Sequence, residues 1–231
     1  MQAVAAALEP LAAPQRSQAE SVQAAIDAVQ RAFNEAIGTR AVRLFAWPIA
    51  ALTWVRIARR DGASHATLYS LGDCKTLLRG ADGRVHDPDP FFNPQEAILQ
   101  AEIARLRAEG VHDSAQRRER LLPMLRERRV AQNRSSASSI LCLRPQGRLA
   151  ARTCAFALAP GAVLLVMTYG FYRLADPYGL YTEAQLVARC ERRGLESMLK
   201  ELRAFERDDG NTAERAVKSA DDASAAFCLV A

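Results

Sequence analysis

The run Gly161-Ala-Val-Leu-Leu-Val-Met-Thr-Tyr-Gly-Phe-Tyr-Arg-Leu-Ala175 constrains this chain more than any other stretch. It predicts an apolar strand over 163–167 that hands Thr168-Tyr169-Gly170 to a turn. Two further strands are tied to acidic turns. Leu68–Leu71 runs into Gly72-Asp73-Cys74, and Asp221-Asp222 stands just before an apolar run over 224–230. Strand ends that carry carboxylates to one place are a common way to build a metal site.

The rest of the chain alternates between clear β and clear helical signals. Residues 17–38 predict a helix: Ser17 with Glu20 makes a capping box, Val22, Ala25, Ile26, Val29 and Phe33 line one face, and Gly38 stops it. Residues 2–9 read as a short helix ended by Pro10 and Pro14. Strands are expected over 50–59 and 66–71 about an Arg60-Asp61-Gly62 turn, and over 75–79 and 84–86 about Ala81-Asp82-Gly83. The segment 88–134 reads as a helical insert. One helix starts at Asn93-Pro94 and stops at Gly110, and a second starts near Ser114 with Pro123 interrupting or kinking it. Strands return over 138–143, 148–157 and 163–167. Helices follow over 182–193 and 195–208, then a polar loop over 209–216 and the closing strand.

A chain of 231 residues with 49% apolar and 25% charged residues is globular, and no apolar run is long enough to span a bilayer. The N-terminus lacks the basic region of a signal peptide. Cys74, Cys142, Cys154, Cys190 and Cys228 are odd in number and far apart, with no C-x-x-C pair, which fits reduced, buried thiols in a cytoplasmic protein. The formal charge of +5 has one source: residues 117–134 hold seven arginines against Glu119 and Glu127. Such a cluster is the solvated face of a helix or a patch for a phosphorylated or acidic partner, with Arg126, Arg128 and Arg129 as the binding candidates. No aromatics alternate with the arginines and the rest of the chain sums to zero charge, so nucleic acid is not expected as partner; without a bilayer-spanning apolar run, neither is a membrane. His65, His86 and His112 are scattered and carry no catalytic expectation, and no Gly-rich phosphate loop is present.

The order of these pieces resembles the metal-dependent protein phosphatases of type 2C (the PPM superfamily): long helix, meander ending in Gly-Asp, helical insert, Met-Thr-x-Gly, helix pair, Asp-Asp strand. The resemblance covers roughly 15–231. Thr168–Leu174 and Tyr178–Thr182 keep the phrasing of a bacterial branch of that family. It implies an α+β fold, a four-layer α-β-β-α sandwich of two antiparallel sheets, here lacking the N-terminal strands and forming a single domain with an insert at about 88–134. It also implies protein serine/threonine phosphatase chemistry, in which two Mn²⁺ or Mg²⁺ ions activate a bridging water.

Carried over by position, Asp221 matches the ligand before the last strand, Asp222 its neighbour, and Asp73 an accessory acid. Tyr169 stands where the family's Thr-Asp-Gly has its metal-binding aspartate, while Gly170 is kept. The family's N-terminal Asp-Gly has no counterpart. A neutral phenol is a poor ligand for hard divalent ions. The expectation is therefore a phosphatase-like domain with weak or absent metal binding and impaired hydrolysis. The alternative is a pseudophosphatase that binds a phosphorylated or acidic partner. An open sheet edge is also expected to favour self-association.

Overall fold

The structure, a computed structural model, describes residues 2–11, 15–208 and 220–231. Among these the chain runs α1 (Gln2–Leu8), α2 (Gln18–Ile37), β1 (Ile49–Ala50), β2 (Leu52–Arg60), β3 (Ala63–Leu71), β4 (Lys75–Arg79), β5 (Val85–His86), α3 (Pro94–Ala108) and α4 (Ser114–Arg134). It continues with β6 (Leu141–Cys142), β7 (Arg152–Leu158), β8 (Val163–Met167), α5 (Tyr169–Tyr172), α6 (Glu183–Arg193), α7 (Leu195–Glu206) and β9 (Ala225–Leu229). Pro14 and the loop expected over 209–216 lie outside the described residues. No helix among the described residues is long and apolar enough to cross a membrane.

The chain divides into two compact units. The first comprises Met1–Val55, Leu68–Gly72 and Pro123–Thr153, and the second Arg56–Thr67, Asp73–Leu122 and Cys154–Ala231. In the first, α2 begins with the expected capping box: the Ser17 hydroxyl accepts from the Glu20 amide while the Glu20 carboxylate accepts from the Ser17 amide. Its buried face, Val22, Ala25 and Ile26, packs with Val4 and Leu8 of α1 and with Tyr69, Leu71 and Leu141. Strand β1 pairs antiparallel with β6, Ile49 opposite Cys142.

In the second unit the strands run in the order β5-β4-β8-β9, with every pair antiparallel. Helices α6 and α7 bury Leu186, Val187, Met198 and Leu202 in one core with Leu77, Val163, Leu165 and Phe171. Thr182 and Gln185 cap α6 reciprocally. Strands β2, β3 and β7 hydrogen-bond in that order. The β2–β3 turn falls on the expected Arg60-Asp61-Gly62 signal but is tighter, a two-residue hairpin with β2 ending at Arg60 and β3 starting at Ala63. Asp61 and Gly62 take φ of 50° and 80°, the positive pair that matches the twist of the flanking strands.

The secondary structure departs from expectation in three places. Helix α4 continues through Pro123, which is exposed; a proline removes a single amide donor, and full turns on either side carry the helix past it. The strand expected over 138–143 shrinks to Leu141–Cys142, because the Ser138 hydroxyl folds onto the Ile140 backbone and its carbonyl accepts from the Ala150 amide. That local bonding also delays β7 to Arg152. All five cysteines are free thiols. Burial pushes the Cys142 thiol up and carries that of Cys190 to about 11.

Candidate functional site

Strand β8 delivers Thr168 to the N-terminus of α5, in extended backbone geometry. Its hydroxyl does not cap the helix. It reaches the Asp222 and Ser224 carbonyls at 3.2 and 3.3 Å and accepts from the Ser224 amide at 3.0 Å. One side chain thus joins the start of α5 to the stretch that enters β9. Gly170 sits directly under that stretch: a Cβ on it would lie 2.2 Å from the Asp222 carbonyl oxygen and 3.4 Å from the Asp221 Cβ.

Tyr169 lines a cavity of about 180 Å³. Asp73, at the end of β3, shares this cavity. Helix α3 contributes Asn93 and Glu96 from its start, preceded by Phe91 and Phe92, and Asp176 and Tyr172 come from the α5 region. Burial, then the Glu96 and Asp176 carboxylates, hold the Tyr169 phenol well above its usual range; Arg173 opposes them and Asp73 adds to them. Burial and a hydrogen bond donated to Glu183 at 2.8 Å do the same for Tyr172. Lys75 enters the lining from β4. Its ammonium is 2.9 Å from the Asp87 carboxylate and 5.3 Å from the centre of the Tyr172 ring.

Asp221 and Asp222 do not line the cavity. The Asp221 carboxylate lies 3.5 Å from the Arg173 guanidinium and accepts from the Asp222 amide, while its carbonyl accepts from Arg203 at 2.7 Å. The structure therefore brings Asp73 and Tyr169 to one cavity and commits Asp221 to an arginine. Among the described residues, no three of His, Cys, Asp and Glu are grouped so as to hold a metal ion.

Sequence reading missed Glu96, Asp176, Tyr172 and the two phenylalanines. Glu96 was legible as part of a helix start, and Asn93-Pro94 fixed its place in the first turn. Nothing local announces that this turn faces Tyr169.

The candidate arginines of the first unit have contacts of their own. Arg126 stacks 4.8 Å from the centre of the Phe45 ring, and Arg129 donates to the Trp47 carbonyl at 3.0 Å. Arg126 and Arg134 flank a shallow hollow of about 540 Å³ with Phe45 and Val130 on its walls. Arg128 is half-buried.

No protein-family model and no curated protein matches the chain. Solved structures do. The serine/threonine phosphatase PstP of Mycobacterium tuberculosis aligns with 100% of this chain over 81% of its own, with a TM-score of 0.51 and 14% identity. The catalytic domain of PstP in complex with two manganese ions aligns with 88% of this chain over 71% of its own, with a TM-score of 0.46 and 15% identity. PppA, a regulatory component of T6SS in Pseudomonas aeruginosa, aligns with 98% of this chain over 76% of its own, with a TM-score of 0.49 and 12% identity. At such identities the likeness is one of fold, and it agrees with the order of motifs in the sequence: this chain has the α+β fold of the metal-dependent, PPM-type protein phosphatases.

Proposed function

We propose that this chain is a serine/threonine phosphatase-like domain in which metal-dependent hydrolysis is impaired and which works by binding a protein partner. One observation carries the reading. Tyr169, which the sequence resemblance sets at the family's metal-binding aspartate, lines a cavity with Glu96, Asp176 and Asp73, where burial and those carboxylates keep its phenol protonated. Two adjacent divalent cations need several anionic oxygens to offset their mutual repulsion. Here one expected carboxylate is a neutral phenol and another, Asp221, is bound to Arg173. The donor set does not fit a two-ion centre.

The test has two parts. With Mn²⁺ present, the chain should hydrolyse neither a phosphoserine peptide nor an aryl phosphate above background. Tyr169→Asp should raise Mn²⁺ affinity in calorimetry by about tenfold. Robust metal-dependent turnover by the unaltered chain, abolished by Asp221→Ala, would overturn the proposal. Unchanged metal affinity in Tyr169→Asp would show that this position is not the ligand position.

The partner this reading implies is phosphorylated or acidic, and the support for it is the concentration of the chain's whole net charge in 117–134. Arg126 and Arg128 are the residues to test, because Arg129 is engaged by the Trp47 carbonyl. Replacing both with Glu should weaken binding of a phosphoserine peptide at least tenfold by fluorescence anisotropy, while stability changes by no more than about 1 kcal/mol. Equal affinity in the variant would return the segment to a solvated helix face.

A further inference from the structure

The cavity beside Tyr169 has a chemistry opposite to that of a phosphate site. Three of its lining residues, Asp73, Glu96 and Asp176, bring carboxylates from three separate segments. The lining's lysine is already paired with Asp87, which lies outside the lining. The walls are aromatic. The Tyr169 and Tyr172 rings stand 6.4 Å apart, tilted by 46°, and Phe92 at the rim is 76% exposed. Among the lining residues carboxylates outnumber cations three to one, which disfavours a phosphate group. A cation would meet carboxylates and the Tyr169 ring together, beside the Lys75 ammonium that already lies over the Tyr172 ring, and aromatic rings attract cations through their quadrupole.

Size and shape narrow the ligand further. At about 180 Å³ the cavity is smaller than a site for a whole cofactor or nucleotide and suits the head of one side chain. A guanidinium fits the lining better than an ammonium. It is planar and more weakly hydrated, it stacks on aromatic rings, and its fixed fork of donors can meet carboxylates arriving from several directions. We propose that this cavity receives an arginine side chain of a partner protein, with its guanidinium between the Tyr169 ring and the carboxylates of Glu96, Asp176 and Asp73. Phe92, apolar and exposed at the mouth, then covers the aliphatic stem.

The experiment is an NMR titration of the full chain with three capped tripeptides that differ only at the central residue: arginine, lysine and citrulline. Citrulline keeps the shape of arginine without the charge. The arginine peptide should give saturable shifts at the amides of 91–96 and 169–172, and the citrulline peptide should bind about tenfold more weakly or less. Glu96→Gln and Phe92→Ala should each weaken the arginine peptide several-fold. Neither residue is buried, so both variants should keep the spectrum of the folded chain.

Equal binding of arginine and citrulline, tighter binding of lysine, or shifts confined to other segments would each overturn the assignment. So would a cavity that takes Mn²⁺ but not the arginine peptide. Metal-dependent turnover would sink the proposed loss of hydrolysis without touching the arginine site. Failure of the arginine peptide to bind would leave the loss of hydrolysis standing.

Discussion

Gly170→Ala will destabilise the chain by at least about 3 kcal/mol, lowering its melting temperature by roughly 6–12 °C. The added Cβ would lie 2.2 Å from the Asp222 carbonyl oxygen and 2.9 Å from its carbon, and both are backbone atoms. Backbone cannot swing aside as a flexible side chain can. The 220–224 stretch would have to move, and with it the three contacts that the Thr168 hydroxyl makes to Asp222 and Ser224. Gly161 supplies the comparison. Its φ is +80°, but a Cβ there would meet nothing within 4 Å, so Gly161→Ala should cost only about 1–2 kcal/mol of left-handed strain. Urea unfolding of both variants checks the pair. A Gly170→Ala chain within 1 kcal/mol of the parent would mean that the segment before β9 yields freely.

This gives a physical reason for the glycine in the Thr-x-Gly phrase. The position between the two, Tyr169, lines the cavity. The glycine is held by close approach of a strand far away in sequence. The glycine is therefore constrained by packing, whatever residue stands between it and Thr168.

Much of the fold was legible because its signals are local. The capping box at Ser17 and Glu20, the Asp61-Gly62 hairpin, the Asn93-Pro94 helix start and the apolar run of β8 each depend on residues a few positions apart. Where local signals competed, the reading went astray. Pro123 argued for an interruption or a kink, and α4 is not interrupted there; a run of apolar residues around Leu141 argued for a strand that the Ser138 hydroxyl cuts short.

The candidate site was legible only in part. Asp73 and Tyr169 could be placed by motif order, and they do share a cavity. The side chains that set its character come from separate segments whose meeting is a tertiary event. The fate of Asp221 was hidden for the same reason. Its partner Arg173 lies in the family-like phrase just after Tyr169, yet nothing in either segment announces the ion pair.

Arg173→Met will be the most informative substitution at that pair. The Arg173 side chain is 8% exposed, and it lies 3.6 Å from the Glu206 carboxylate, which is 2% exposed, and 3.5 Å from that of Asp221. The Tyr178 hydroxyl donates to Glu206 at 3.2 Å, and Arg203 pairs with the same carboxylate. Removing one partner of a buried ion pair typically costs about 3–5 kcal/mol, because the remaining charge is left in a poor solvent. Arg203 stays on Glu206, so the expected loss is near the lower end, about 3 kcal/mol. Adding Glu206→Gln should recover part of it, since the buried carboxylate no longer needs its second cation. Arg173→Met also removes the guanidinium from beside the Asp221 carboxylate. Calorimetry should then show tighter Mn²⁺ binding by Tyr169→Asp with Arg173→Met than by Tyr169→Asp alone, because the guanidinium no longer competes for the oxygen. If the single variant unfolds within about 0.5 kcal/mol of the parent, the network is not a structural element. If the double variant gains no metal affinity, Arg173 is not what keeps Asp221 from acting as a ligand.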